Sequence, residues 1–165
     1  MSLERWFRHV FTGRRALVRA FPPRTLAAIE QAVTESEQGH GGEIRFAIEH
    51  ALDPAEAWAG KTPRTRALEV FAGLGVWDTE LNNGVLIYVL LADHDVEIIA
   101  DRGFNGRVDL AQWDAICNLM EAKFALGEFE AGSVAAVREV GRLIGEHYPF
   151  VAGARNELPN RPMTF

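Results

Sequence analysis

Cysteine is nearly absent from this 165-residue chain, since Cys117 is the single example, and no disulfide can therefore form within it. No apolar run approaches the ~20 residues that a membrane-spanning helix needs. Arginines interrupt the stretch 3–21, where a secretory signal would need an unbroken apolar segment. The sequence also lacks a Gly-x-Ser-x-Gly turn and a Walker-type phosphate loop. We therefore expect a cytoplasmic protein, with any membrane contact peripheral and at the inner membrane face.

Acidic and basic groups are distributed unevenly along the chain. Residues 1–20 contain five Arg and one Glu, whereas the remaining residues contain 12 basic and 22 acidic groups. This excess of acid argues against nucleic acid as a partner, because phosphate contacts require clustered Lys and Arg. The acidic body is compatible with cation binding.

The basic segment 1–20 has the pattern of an amphipathic helix. A basic helix with aromatic residues on its apolar face can lie in an anionic membrane interface. The same face could instead pack on the domain or on another chain, or the arm could lack a fixed structure. We divide the chain into this N-terminal arm, a domain over 21–150 and a C-terminal tail over 151–165. The residues that share the apolar face of the arm are Leu3, Trp6, Phe7, Val10 and Phe11.

Hydrophobic periodicity predicts one α/β domain. Alternation predicts a half-buried strand over 43–50, and the runs 85–91 and 96–100 have the pattern of two further strands joined by a turn. Because a helix lies in the first connection, strands one and two are predicted to be parallel, whereas strands two and three form an antiparallel hairpin. The expected fold is a three-layer α/β/α sandwich with a small mixed sheet. The predicted helices begin at Pro22-Pro23, Thr62-Pro63, Asp109 and Phe129.

Oxygen-bearing side chains bracket the predicted hairpin at one end. The residues before its first strand and after its second strand lie at the same edge of the sheet, and Glu43, which begins the parallel neighbour, would join them. Such oxygens are the ligands of hard divalent cations. We therefore expect a metal site, with Ca²⁺ as the expected ion and Mg²⁺ or Mn²⁺ as alternatives. The candidate ligands are Asp78, Glu80, Asn82, Asn83, Asp101, Asn105, Asp109 and Glu43.

Simpler interpretations of this edge remain open. Asn-Gly before a strand often only shapes a turn, Asp109 could be a helix N-cap, and Asp78 and Glu80 could be solvated. Arg102 and Arg45 could hold a phosphate oxygen, although Arg45 could equally pair with a carboxylate. A second candidate metal site, better suited to a transition metal, lies at the opposite edge of the sheet. These residues could instead simply belong to an exposed turn. They are His50, Asp53, Asp93, His94 and Asp95.

The strand and hairpin sequence resembles the TPM-domain family. The residues that carry the resemblance are Asn82-Asn83-Gly84-Val85-Leu86-Ile87, Val96-Glu97-Ile98, Gly103-Phe104-Asn105-Gly106, and Phe124 with Gly127-Glu128-Phe129-Glu130-Ala131-Gly132. The resemblance covers about residues 22–148. It implies an α/β/α sandwich, calcium binding in some members, phosphatase activity in a few, and accessory or assembly roles in others that are often membrane-attached.

Three positions depart from the family pattern. His94 stands where an Arg is usual, Asp101 where Gly is frequent, and Asn105 where a glutamate is frequent. Cys117 lies on an apolar stripe, as expected of a buried and inert thiol. We expect an accessory module with a cation-organised edge and an unidentified protein partner. The alternatives are a metal-dependent phosphatase and a peripheral membrane protein that docks through residues 1–20.

Overall fold

A four-stranded mixed sheet forms the middle layer of the computed structural model, which describes residues 2–153 and 155–165. The strand order is β3-β2-β1-β4. Strand β1 is parallel to both β2 and β4, and β3 is antiparallel to β2. The parallel pair and the hairpin confirm the predicted topology. The strands are β1 (Glu43–Glu49), β2 (Gly84–Leu90), β3 (Asp95–Ala100) and β4 (Met163–Thr164).

Helices cover both faces of the sheet. One face carries the larger core, in which Ile44 and Ile87 contact residues of α3, α6 and α7. The other face carries a smaller core, in which Leu86 and Tyr88 lie with residues of α4 and α5. All seven residues of β2 are buried, as expected of a central strand covered on both sides. The helices are α1 (Leu3–Phe11), α2 (Arg14–Ala20), α3 (Pro23–Glu37), α4 (Pro54–Trp58), α5 (Pro63–Gly73), α6 (Leu110–Ala125) and α7 (Phe129–His147).

Local sequence explains where the main helices begin. Proline occupies the first turn of α3 and of α5, where its missing N–H is not needed. The Thr62 side chain accepts the N–H of Thr65 at 3.1 Å, and Asp109 forms a reciprocal capping box with Gln112. The N-cap alternative for Asp109 is therefore observed.

Gly84 is required by a close approach at the start of β2. A Cβ atom at this position would lie 2.0 Å from the carbonyl oxygen of Val76. The preceding Asn82 has a φ of 53°, a left-handed conformation that Asn tolerates better than most residues. The Asn-Asn-Gly sequence thus fits the chain path into the central strand.

Both terminal segments contact the domain in this structure. The arm forms two helices, α1 and α2, and α1 contacts α4 and the turn that precedes β3. The predicted tail returns to the sheet, where β4 adds to the free edge of β1. Within the described residues, no helix is both long enough and apolar enough to cross a membrane.

Candidate functional site

The predicted acidic edge is divided among separate local contacts. Asp78 and Glu80 are exposed, and the backbone N–H of Glu80 donates to the Glu157 carboxylate at 3.0 Å. Asp109 is occupied as the cap of α6. Asn105 is exposed in the loop that follows β3. The common end of the hairpin was predicted correctly, but the loop conformations spread its side chains apart.

Asn82 and Arg102 connect the two loops at this edge. The Asn82 side-chain oxygen accepts from Arg102 Nε at 2.9 Å, and its backbone carbonyl accepts the N–H of Gly103 at 2.9 Å. Tyr148 donates its hydroxyl to the Gly103 carbonyl at 2.7 Å. Arg102 is therefore held beside Asp101 while its guanidinium remains exposed.

Among the predicted ligands, Asp101 is the carboxylate with an oxygen still available to bind a cation. Its residue is 8% exposed, and its Oδ1 accepts the N–H of Arg102 at 2.7 Å. Its Oδ2 is buried and has no hydrogen-bond partner among the residues that the structure describes. A buried carboxylate oxygen without a partner is costly, so this atom needs a ligand or water that supplies positive charge or a proton.

A cleft of about 610 Å³ opens along the free edge of β3 beside Asp101. Asn105, Glu97 and Asp114 also line it, and Arg64 pairs with Glu97 at 3.0 Å. The cleft is therefore lined by three carboxylates, one amide and one guanidinium. Cys117 lies on the same cleft, and burial raises the pKa of its thiol to about 12. A thiol of this kind is not a nucleophile at neutral pH.

Asn83 is buried and oriented by the backbone. Its Nδ2 donates to the Gly41 carbonyl at 2.8 Å, and its backbone N–H donates to Thr79 Oγ1 at 3.0 Å. Its Oδ1 is buried without a partner in the described part of the chain. Asn83 thus offers a second oxygen donor near the hairpin end, separate from the contacts of Asp101.

Glu43 and Arg45 bind the C-terminal segment in this structure. The Glu43 carboxylate accepts the N–H groups of Glu157 and Leu158 at 3.1 and 3.2 Å. Arg45 donates to the carbonyls of Pro159 and Arg161. Burial raises the pKa of Glu43 and lowers that of Arg45. These contacts account for the Glu43 carboxylate and for one guanidinium nitrogen of Arg45, whose Nε is buried without a partner among the described residues.

Two buried titratable groups at the end of α3 were missed by the sequence analysis. Glu37 Oε1 accepts the N–H of Ile44 at 3.0 Å, and burial raises its pKa to about 7. His40 Nδ1 accepts the N–H of Gly42 at 3.3 Å and its Nε2 lies 3.0 Å from Ser36 Oγ, while burial lowers its pKa to about 4. Because Nδ1 is the acceptor, Nε2 carries the proton in the neutral ring, so His40 is not arranged as a base for Ser36.

The second candidate set at the opposite edge is also divided. Asp53 caps α4 by accepting the N–H of Ala55 at 2.8 Å, His50 Nδ1 lies 2.7 Å from the Phe165 carbonyl oxygen, and His94 is exposed. Burial raises the pKa of Asp95 to about 7, with Glu97 the next cause. Among the described residues, no group of three or more His, Cys, Asp or Glu side chains is placed to hold a metal ion.

Asp93, from the same set, anchors helix α1. Arg5 donates to both oxygens of its carboxylate at 2.7 to 3.1 Å, and His9 Nε2 lies 3.2 Å from Oδ1. His9 is buried, and its Nδ1 accepts the N–H of Leu52 at 3.0 Å. Burial opposes ionisation of Asp93, but Arg5 and His9 outweigh it and lower the carboxyl pKa. The polar face of α1 therefore faces the domain.

The apolar face of α1 is consequently turned toward solvent. The phenyl rings of Phe7 and Phe11 stack with centroids 6.0 Å apart, and only Trp6 of the predicted stripe turns back to contact Trp58. Arg8, Arg14 and Arg15 are exposed in the same region. The outward apolar residues, defined here as the α1 patch, are Leu3 (63% exposed), Phe7 (48%), Val10 (40%) and Phe11 (78%).

A family model for the TPM domain matches residues 18–143, which is more than half of the chain. This chain belongs to the TPM-domain family. No curated protein matches the sequence. Among solved structures, the fold is similar to the NMR structure of BA42 protein from the psychrophilic bacterium Bizionia argentinensis. That match has a TM-score of 0.75 and 30% identity, and it covers 86% of this chain and 93% of that chain.

The TPM-domain match leaves both terminal elements outside it. Helix α1 precedes residue 18 and the segment 155–165 follows residue 143, yet both bind charged residues of the domain. Packing of the arm on the domain is one of the alternatives that the sequence left open, whereas the contacts of the segment 155–165 were not predicted. The local signals were the acidic residues in the hairpin turn and the charged residues that alternate with apolar ones in strand β1.

Proposed function

We propose that this TPM-domain protein is an accessory module that attaches to anionic membrane surfaces through α1. The observation that carries the proposal is the α1 patch, whose four apolar side chains are 40 to 78% exposed while Arg5 and His9 hold the opposite face to the domain. A helix held only by packing in water would be expected to bury its apolar face. The reversed orientation suits a helix that lies on an apolar surface outside the protein.

Charge and burial support the same surface. Interfacial binding grows with the apolar area inserted and with attraction of basic residues to anionic lipid, at about 1 kcal/mol for each Lys or Arg near the surface. Arg14 and Arg15 are exposed in the turn of chain that follows the α1 patch, whereas Arg8 lies 3.8 Å from Asp93. The residues after position 20 carry a net negative charge. The docked face would therefore be basic and the outward face acidic.

Vesicle flotation with a matched pair of variants tests this proposal. Phe11→Ser and Leu110→Ser each replace an apolar side chain that is more than 70% exposed, but Leu110 begins α6 beside Asp101, at the end of β3 opposite the turn that α1 contacts. We expect Phe11→Ser to weaken binding to phosphatidylglycerol vesicles about tenfold, since burying such a side chain contributes ~1.5–3 kcal/mol. Leu110→Ser should bind like the wild type. Equal loss in both variants, or no wild-type binding, would contradict the proposal.

A second candidate function is divalent-cation binding in the cleft beside Asp101. The supporting observation is Asp101 Oδ2, which is buried, lacks a partner among the described residues, and belongs to a residue that lines the cleft. Asn105 lines the same cleft, and water could complete the six to eight oxygen ligands of Ca²⁺. Of the ligands predicted from the sequence, Asp101 and Asn105 line this cleft. Glu43 instead binds the segment 155–165, and Asp109 caps α6. The site would be weak and largely hydrated.

An amide NMR titration with Ca²⁺, Mg²⁺ and Mn²⁺ tests the cation site. Saturable shifts should be confined to the loops at Asn82 and at 101–106, and Asp101→Asn should abolish them. Asp78→Asn is the matched control, since Asp78 is exposed and does not line the cleft. Absence of shifts at millimolar ion, or shifts that survive Asp101→Asn, would remove this candidate.

Phosphatase activity would rest on the same cation. A bound ion would act as a Lewis acid and activate water, and Arg102, held beside Asp101 through Asn82, could bind a phosphate oxygen. Arg45 is bound to carbonyls of the segment 155–165. Turnover of an aryl phosphate that needs the ion and is lost in both Asp101→Asn and Arg102→Gln would support this activity, whereas turnover unchanged by either variant would exclude these residues.

A further inference from the structure

Two Asn-Gly pairs occur in this chain, and the structure places them in opposite environments. Asn83-Gly84 leads into the central strand β2, and both of its residues are buried. Asn105-Gly106 lies in the loop that follows β3, and both of its residues are exposed. An asparagine side chain can react with the backbone nitrogen that follows it, and glycine has no Cβ atom to hinder the approach. The same chemistry is therefore available at two places whose surroundings differ.

Asn105 and Gly106 are the two central residues of a type II turn. The N–H of Arg107 donates to the Phe104 carbonyl at 3.0 Å, while Asn105 has a φ of −59° and a ψ of 123°. Gly106 has a φ of 72°, and a Cβ atom there would meet nothing within 4 Å. Among the described residues, no backbone carbonyl accepts the Gly106 N–H. The nitrogen that follows Asn105 is therefore open to solvent and free of backbone contacts.

The turn also allows the peptide between these two residues to rotate. Rotation of this peptide converts a type II turn into a type I turn, and the hydrogen bond that closes the turn can persist. The rotation changes the ψ of Asn105 and the φ of Gly106, and glycine accepts either sign of φ. The Gly106 nitrogen can therefore approach the side-chain carbonyl carbon of Asn105 without unfolding of the domain.

We propose that Asn105 is a self-modification site that adds a carboxylate to the cleft beside Asp101. The Gly106 nitrogen loses its proton and bonds to the side-chain carbonyl carbon of Asn105. The bond from that carbon to Nδ2 breaks, and ammonia leaves. Water then opens the cyclic imide and yields aspartate or isoaspartate, so that an amide becomes a carboxylate with no change in oxidation state.

The new carboxylate changes the ligand set of the cleft. Asn105 and Asp101 both line it, and Oδ2 of Asp101 is buried without a partner among the described residues. Replacing a neutral amide by a carboxylate raises the charge of the ligands, which strengthens Ca²⁺ binding. This consequence rests on the cation-binding function proposed for the cleft, whereas the modification itself does not.

Asn83 provides an internal control with the same neighbouring residue. It is 1% exposed, and its Nδ2 donates to the Gly41 carbonyl at 2.8 Å. Gly84 pairs with Glu43 in the sheet, and a Cβ atom at Gly84 would lie 2.0 Å from a carbonyl oxygen. The peptide between Asn83 and Gly84 cannot rotate unless the start of β2 opens. We therefore expect Asn83 to keep its amide in the native protein.

Peptide mapping by mass spectrometry tests the modification in the full-length wild type. The protein is incubated at mildly alkaline pH, both native and unfolded in urea, and aspartate and isoaspartate products are identified against synthetic peptides. In the native protein, Asn105 should lose its amide at least about tenfold faster than Asn83, because reaction at Asn83 requires local opening. In urea the two rates should be similar. Equal native rates, or an Asn105 amide that reacts only in urea, would overturn the proposal.

Calorimetric titration of Asn105→Asp with Ca²⁺ tests the consequence for the cleft. We expect this variant to bind Ca²⁺ about tenfold more tightly than the wild type, because its ligand set has one more charge. Asn156→Asp adds the same charge at an exposed position that does not line the cleft, and it should bind like the wild type. Equal tightening in both variants, or none in Asn105→Asp, would overturn the link to the cleft. Absence of binding in all three proteins would overturn the cation-binding function, whereas the peptide map decides the modification separately.

Discussion

The pH dependence of folding stability should reveal two buried groups that oppose each other. Burial lowers the pKa of His40 to about 4 from an ordinary value of 6.5, and burial raises the pKa of Glu37 to about 7 from 4.5. Between pH 4.5 and 6.5, unfolding therefore takes up a proton at His40 and releases one at Glu37. Each change corresponds to about 3 kcal/mol in the free energy of unfolding, with opposite sign. In the wild type these two contributions to the free energy of unfolding should largely cancel.

Glu37→Gln should separate the two groups. The amide keeps an acceptor for the N–H of Ile44, while the group no longer titrates. Relative to the wild type, the variant should gain about 3 kcal/mol between pH 4.5 and 7.5, because it avoids the cost of a buried carboxylate at the higher pH. In the variant, His40 still lowers the free energy of unfolding as the pH drops from 6.5 to 4, because only the unfolded state binds a proton there, while Asp95, whose pKa is raised to about 7, acts in the opposite direction.

Urea unfolding followed by tryptophan fluorescence at pH 4.5, 5.5, 6.5 and 7.5 measures this difference. Asp95, whose pKa is also raised to about 7, is present in both proteins, so the comparison isolates Glu37. Glu35→Gln is the matched control, since Glu35 lies exposed on the same helix. Wild-type and Glu37→Gln curves that run parallel across this pH range would refute the argument that burial controls the titration of Glu37.

Three further perturbations follow from single contacts. Asp93→Asn removes the charge that holds Arg5 and His9, so it should cost on the order of 3 kcal/mol of folding stability. It should also speed hydrogen exchange in α1. Glu4→Gln, on the exposed side of α1, should do neither. Cys117 should react with a maleimide far more slowly in the native protein than after unfolding, since its thiol is buried with a raised pKa; equal rates would contradict this placement. Gly84→Ala should destabilise the protein because its Cβ would meet a carbonyl oxygen at 2.0 Å, while Gly13→Ala, with open space around it, should be neutral in thermal unfolding.

The sheet and its topology could be predicted because they depend on local patterns. The central strand is a continuous apolar run, a helix separates it from its parallel neighbour, and a short polar turn follows it. The left-handed turn before the central strand is marked by Asn82, and the close approach of the chain to Val76 is marked by Gly84. These signals act over a few residues, and the structure confirms the mixed sheet and the α/β/α layers.

The orientation of α1 could not be predicted from its periodicity. Helical spacing identifies which residues share a face but does not say which face contacts the domain. Asp93, some eighty residues away in the chain, decides the orientation by binding Arg5 and His9. The segment 155–165 gave no signal either, because a two-residue strand has no alternation to detect and its main contacts are main-chain groups.

The candidate ligands could be located only to one end of the hairpin. Their residue types and their common edge follow from the sequence, but the paths of the loops decide which oxygens point where. Asp109 is used by a helix and Glu43 by the segment 155–165, so neither is free. Asp101 keeps one buried oxygen without a described partner. Metal binding at this edge remains a prediction, and it now depends on that residue.

The two elements outside the TPM-domain match satisfy charged groups that the domain buries. Asp93 has a side chain only 7% exposed and is neutralised by α1, while Glu43 and Arg45 are buried against the segment 155–165. A change that removed one partner and left the other charge buried would be strongly unfavourable. Charged residues within an apolar strand and a turn are therefore best explained as docking points. The exposed α1 patch follows from how one of these docking points is filled, because Arg5 and His9 bind Asp93 on the opposite face of α1.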